Sequence, residues 1–302
     1  MRRWILAAIC CGYLVTPLAR TAGIRTIPQQ TTDLDLPARP DSPAHKVRIT
    51  IWRPRDGVTP IVFYEPGWAE ARTDNDAILN RLAGQGYTLV SIDESPAQPD
   101  DAGRLLRTLQ APMDFSSAAA SAATVARADQ MARLFATDAS QVLDRLPSLG
   151  VPLDPQRIGI FGFSFGGAVA AQTCWRDSRF QGAANLDGWL FADASAHWIN
   201  QPYLLVGADD SNNPSPPDSF DAQEEKRARA HFASRGGTLV MLDGPAHSDF
   251  TTGGAPRVQA LAGSFIESFF RQVFAGSRSP QFADLAKQFP EAKVQTWPPQ
   301  PP

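Results

Sequence analysis

Several kinds of protein are excluded by what this 302-residue chain lacks. It has four histidines and three cysteines, with no Cys-x-x-Cys pair and no His-Glu-x-x-His, so the material for a metal site is thin and metal-free chemistry is expected. A Walker-type phosphate loop is missing as well. The net charge of -3 leaves no excess of basic residues for nucleic acid. Cys10 and Cys11 fall within the first apolar run, so beyond it Cys174 stands alone and no internal disulfide can form. There is no internal repeat and no linker that would divide the chain.

The one early apolar run, Trp4 to Val15, follows Arg2 and Arg3 and is too short to span a bilayer comfortably. With small residues at Ala19 and Ala22 it reads as an export signal over residues 1–22. The rival is an uncleaved N-terminal anchor. The protein is therefore expected to be periplasmic or secreted, or held by that anchor. A single catalytic domain is expected over 45–275, with a Pro-rich tail over 276–302 that drapes or dangles.

The informative stretch is 157–167. Ile158, Ile160 and Phe161 lead an apolar strand into Gly162-Phe163-Ser164-Phe165-Gly166, and Ala168-Val169-Ala170-Ala171 continue as helix. A serine at the crest of a strand–turn–helix is a nucleophile elbow. The turn forces a strained backbone, and side chains on the flanking glycines would clash with strand and helix. The hydroxyl is thereby raised at a helix N-terminus, where amides and dipole favour developing negative charge.

Around this stretch, buried apolar strands alternate with helices. Strands are expected at His45–Trp52 (as an edge), Pro60–Tyr64, Tyr87–Ile92, Gly182–Asp187, Pro202–Val206 and, as the last, Thr238–Leu242. Helices are expected after Thr73 or Asn75 as cap, over Ser117–Leu146, Gln223–Ala233 and Val258–Phe274. That alternation predicts a mostly parallel sheet covered on both faces, the α/β-hydrolase architecture.

A serine needs a base, and in this fold the chain order is Ser, acid, His. His45 precedes the serine, His197 lies between strands, and His231 sits in a charged helical run that reads as a solvated face. His247 follows the final strand and is the expected base. The acid has two candidate positions, Asp187 at the end of one strand and Asp209 and Asp210 at the end of the next, and spacing alone favours Asp209 or Asp210, as in many α/β-hydrolases.

Three motifs in register, Gly162 to Gly167, Asn185-Leu186-Asp187-Gly188-Trp189 and Ala246-His247-Ser248-Asp249-Phe250, resemble the plasma-type (class II) platelet-activating-factor acetylhydrolase family. The likeness spans most of Thr50 to Phe274. It implies an α/β-hydrolase that works through an acyl-enzyme on short-acyl esters such as 2-acetyl phospholipids, without a cofactor. It also implies Asp187 as the acid, with Trp68 and Phe165 giving backbone amides to an oxyanion hole. Two departures bear on the pocket: Phe163 stands where the family has histidine, and Pro66-Gly67 where it has His-Gly. Trp68, Phe163, Trp189, Leu190 and Phe191 are candidates to line an apolar acyl slot. A general esterase or polyester hydrolase, and a non-catalytic binding protein of the same fold, are the alternatives. The substrate is in either case an ester, small or lipid, and peripheral contact with a lipid surface is left open.

Overall fold

The structure is a computed structural model, and it describes residues 27–40, 43–68, 72–93, 107–209 and 219–299. Nine strands form one sheet: β1 (Gln29–Leu36), β2 (His45–Trp52), β3 (Ile61–Glu65), β4 (Thr88–Asp93), β5 (Ile158–Phe163), β6 (Ala183–Leu186), β7 (Tyr203–Asp209), β8 (Gly237–Asp243) and β9 (Ala292–Trp297). Their spatial order is β1-β2-β4-β3-β5-β6-β7-β8-β9. The six central strands run parallel, while β1, β2 and β9 are antiparallel additions at the margins.

Among the described residues, seven α-helices connect and cover them: α1 (Asp76–Gly84), α2 (Ala118–Arg145), α3 (Phe165–Arg176), α4 (Ala192–His197), α5 (Phe220–Arg235), α6 (Pro256–Val273) and α7 (Ala283–Gln288). The central strands are apolar in continuous runs because both faces are covered. On one face Val62, Tyr64, Phe161 and Leu186 pack against Ile78 and Leu82 of α1 and Phe265, Phe269 and Phe270 of α6. On the other, Ile61, Phe63 and Ile160 meet Ala139, Val142 and Leu143 of α2 and Ala170 and Ala171 of α3. Cys174 is buried on α3, and that burial pushes its thiol well above the usual range. Two covered faces around a mostly parallel sheet make this an α/β-hydrolase fold.

The margins depart from expectation. His45–Trp52 is not an edge, because β1 pairs with it from Gln29↔Trp52 to Leu36↔His45. β1 carries only Leu34 and Leu36 as apolar residues, so its alternation is faint; the salt links Lys46–Asp35 and Arg48–Asp33 supply its exposed side. Nor is Thr238–Leu242 the last strand. The chain beyond Gly276 returns through α7 and pairs β9 antiparallel with β8, from Gly237↔Trp297 to Leu242↔Ala292. Trp297 stacks on Phe232 at 5.3 Å. The stretch expected to dangle therefore shields an edge that would otherwise expose unpaired amides and carbonyls.

Two smaller expectations also change. Asn75 precedes α1 but makes no cap, since its amide donates to Tyr64 Oη at 2.8 Å. His231 is half-buried, stacked on Trp198 at 4.9 Å, with Nε2 2.7 Å from the Ser195 carbonyl, and burial pushes its pKa down. The expected export signal lies outside the described residues. Among the described residues, no helix is long and apolar enough to cross a membrane. Truncation after Gly276 is expected to cost about 2 kcal/mol or more and to promote aggregation; urea unfolding with light scattering of the shortened chain checks this.

Candidate active site

β5 delivers Ser164 at its carboxyl end, directly before α3. The serine has φ 52° and ψ -121°, a left-handed backbone that a residue with a Cβ adopts only at a cost of about 1–3 kcal/mol. The surroundings permit nothing looser. A Cβ on Gly162 would lie 2.0 Å from the Gly166 carbonyl oxygen, and one on Gly166 would lie 2.0 Å from that of Glu65. Ser164 N–H donates to the Leu186 carbonyl at 2.7 Å, tying the crest to β6.

β6 then delivers Asp187, also at positive φ (53°), whose N–H donates to the Val206 carbonyl at 2.8 Å. Its Oδ1 accepts from the Ala208 amide at 2.8 Å, which aims Oδ2 away from β7 and at His247. Asn185, fully buried, fixes the following turn. Its Oδ1 accepts from Gly188 N–H at 2.9 Å, and its Nδ2 donates to the Gly188 carbonyl and to Tyr203 Oη, both at 2.9 Å.

His247 begins a short 3-10 turn, His247–Phe250, between β8 and α6. Asp249 braces this loop from both sides, accepting from Ala246 N–H at 2.8 Å and Ala255 N–H at 3.2 Å. The His247 ring stands with Nδ1 2.6 Å from Asp187 Oδ2 and Nε2 3.0 Å from Ser164 Oγ. An Nδ1–H donated to the carboxylate leaves Nε2 as the acceptor of the serine proton. Phe163 lies under the imidazole, ring centroids 4.8 Å apart and tilted by 28°. The His247 side chain is 54 % exposed, so the hydroxyl it meets is reachable from solvent.

Of the three carboxylates that end β6 and β7, Asp187 meets the imidazole. Asp209 is instead 2.5 Å from Lys293 of β9, and Asp210 lies outside the described residues. His45 is buried with Nε2 2.8 Å from Asp138 Oδ2, and His197 stacks on Trp175, both away from Ser164. Trp68 packs edge-on against Phe165 at 5.0 Å, bringing the loop after β3 to the start of α3.

The expected acyl-slot residues do not form one wall. Phe163 is buried beneath His247 and Leu190 joins the core under the sheet, whereas Trp68, Phe165, Trp189 and Phe191 share a cluster beside the serine. Phe115 and Phe220 complete that cluster. Phe115 stacks on Phe220 at 4.7 Å and meets Trp189 edge-on at 5.5 Å. Both come from segments whose sequence gives no sign of the site; only their aromatic character beside polar neighbours hints at it. A cavity of about 380 Å³ opens next to Asp187 and Trp189, between α5 and β6–β8, with Leu205 and Met241 in its floor. Among the described residues, no group of three His, Cys, Asp or Glu side chains is placed to hold a metal ion.

Known proteins share this fold and parts of this sequence. A ferulic acid esterase from Streptomyces cinnamoneus shares the fold, with TM-score 0.65 and 22% identity over 93% of this chain and 98% of that one. Residues 139–251 match the family model for platelet-activating factor acetylhydrolase, isoform II. A 100-residue stretch is 28% identical to the platelet-activating factor acetylhydrolase of Bos taurus, covering 32% of this chain. The match spans about a fifth of that relative's length, 21%. The resemblance seen in the three motifs is thus shared by the family model, over the segment that carries the elbow, Asp187 and His247. Asp249→Ala is expected to remove both loop braces and lower stability by about 1 kcal/mol, measured by thermal unfolding.

Proposed function

We propose that the protein is a serine carboxylic ester hydrolase acting through an acyl-enzyme. The observation that carries this is the continuous contact Asp187–His247–Ser164, 2.6 Å and 3.0 Å long, assembled from three strand ends. Ser164 Oγ attacks the ester carbonyl carbon while His247 Nε2 takes its proton. Asp187 keeps the ring in the Nδ1–H tautomer and stabilises the imidazolium that forms. Phe163, face-on beneath that ring, adds a cation–π attraction to the charged form. The tetrahedral oxyanion is received by the backbone amides of Phe165 and Trp68. His247 then protonates the leaving alcohol, and water reverses the sequence to release the acid.

The substrate is proposed to be a short-acyl ester of the platelet-activating-factor type. This rests on the family match, and the aromatic cluster of Trp68, Phe165, Trp189, Phe115 and Phe220 offers an apolar surface beside the serine. A secreted general esterase or polyester hydrolase is the second reading, favoured by the exposure of His247 and by the esterase that shares the fold. Export through residues 1–22 belongs to this proposal, and N-terminal sequencing of the protein recovered outside the cytoplasm tests it.

A fluorophosphonate probe is expected to label the protein at Ser164 and to leave Ser164→Ala unlabelled; equal labelling of both would falsify the nucleophile. Asp187→Asn is expected to lower kcat about 10³–10⁴-fold, whereas Asp209→Asn stays within about twofold. Turnover of p-nitrophenyl esters of rising acyl length, then of acetyl phospholipid, decides between the substrate classes. A maximum at acetate with turnover of the phospholipid supports the first reading.

A further inference from the structure

The proposed chemistry leaves one buried carboxyl group close to the nucleophile unused. Glu65 is the last residue of β3, three positions ahead of Trp68. Along this strand Val62 and Tyr64 face α1 and α6, while Ile61 and Phe63 face α2 and α3. By alternation Glu65 falls on the second face. It is 1% exposed, and neither carboxyl oxygen has a hydrogen-bond partner. Its backbone serves the elbow directly. The Glu65 carbonyl oxygen and that of Pro66 crowd Gly166 so closely that a Cβ there would stand 2.0 Å and 2.5 Å away.

Among the described residues, no cation makes an ion pair with it. The ionisable group whose field reaches it is Asp138 of α2, fully buried, whose Oδ2 is engaged by His45 Nε2 of β2 at 2.8 Å. His45 Nδ1 donates to the Pro43 carbonyl at 2.8 Å, so both ring nitrogens are engaged by oxygens other than those of Glu65. Gln141, one turn along α2, is also buried, with its amide atoms unpartnered. On the sheet, β4 contributes Asp93, which pairs with Arg72 at 3.1 Å. β5 places Gly162 opposite Glu65 and carries no ionisable residue.

A carboxylate sealed in such a place would carry a desolvation cost of several kcal/mol with nothing to offset it. It would also set a negative charge a few residues from the amides that receive the oxyanion, where any like charge raises the barrier. We propose that Glu65 is a positioning residue for the oxyanion loop, kept as the neutral carboxylic acid so that it fills the space between β3 and α2 and adds no charge beside the developing oxyanion. Burial first, and the negative field of Asp138 second, push its pKa well above the ordinary carboxyl value. The folded protein therefore binds this proton more tightly than the unfolded chain does. The stability tied to it is fully present below the ordinary carboxyl range and is lost as pH rises toward the folded value.

The kinetic part of this inference rests on the ester-hydrolase reading, whereas the stability part does not. The full-length protein and Glu65→Gln, which is neutral at every pH and nearly the same shape, are compared in two measurements. Thermal midpoints between pH 4 and pH 9 are expected to fall with rising pH in the wild type and to stay flatter in the variant. Midpoint curves that run parallel overturn the neutral acid. With p-nitrophenyl acetate, kcat of the two is expected to agree within about twofold at pH 7. As pH is raised until the wild-type midpoint stops falling relative to the variant, the point at which Glu65 has ionised, wild-type kcat is expected to drop about tenfold below that of the variant, with KM shared. Midpoint curves that diverge and then level off while kcat stays matched overturn the positioning role. A protein that hydrolyses no ester and resists the fluorophosphonate fails the earlier reading instead, and the midpoint comparison still decides the state of Glu65.

Discussion

The whole arrangement depends on how closely three backbones approach at Ser164. β5 turns into α3 against the end of β3, with carbonyl oxygens at distances that admit only hydrogen at positions 162 and 166. That crowding holds a serine in a left-handed backbone and lifts its hydroxyl off the sheet. A strained residue persists only where its surroundings over-determine it. Here they do so through the hydrogen bond from the Ser164 amide to the Leu186 carbonyl of β6 and through two fully packed faces of the sheet. The same crowding explains why the loop after β3 and the start of α3 are neighbours, with Trp68 edge-on to Phe165 where Gly166 lets the chain pass.

On this frame the polar groups are few, and each has a fixed orientation. Asp187 is aimed by the Ala208 amide, its loop is braced by Asn185, and the His247 loop is braced by Asp249. The imidazole lies between a carboxylate, a hydroxyl and an aromatic face. Such a ring loses little freedom when it accepts a proton, because its hydrogen bonds and its stacking partner are already in place. The buried Glu65 belongs to the same economy of charge. Near the elbow the fold tolerates a polar atom only when it is bonded or neutral.

Much of this was legible in the chain. The alternation of apolar strands and helices, the elbow, and the order of serine before acid before histidine all arise from local patterns that survive folding unchanged. Spacing alone favours Asp209 or Asp210, although Asp187 ends a strand at the same edge of the sheet. The resemblance favoured Asp187, and the structure shows a physical difference between them: Lys293 of β9 engages Asp209. That strand was invisible as a strand, since Ala292 to Trp297 alternates weakly and sits among prolines. β1 is faint for the same reason, with two leucines among polar residues.

Large apolar side chains were the hardest to place. Phe163, Leu190 and Trp68 look alike along the sequence, yet they fall into three separate clusters, under His247, under the sheet and beside the serine. Phe115 and Phe220, more than a hundred positions apart in the sequence, join the last. The sequence alone determined the strand order of chemistry-bearing residues and the turn that exposes Ser164, because period, glycine placement and chain direction are local properties. Only the tertiary structure decided which carboxylate meets the imidazole, which aromatic rings share a wall, and that a glutamate three residues before Trp68 is sealed from water. Those outcomes depend on which distant segments come to lie side by side, and no local pattern encodes that.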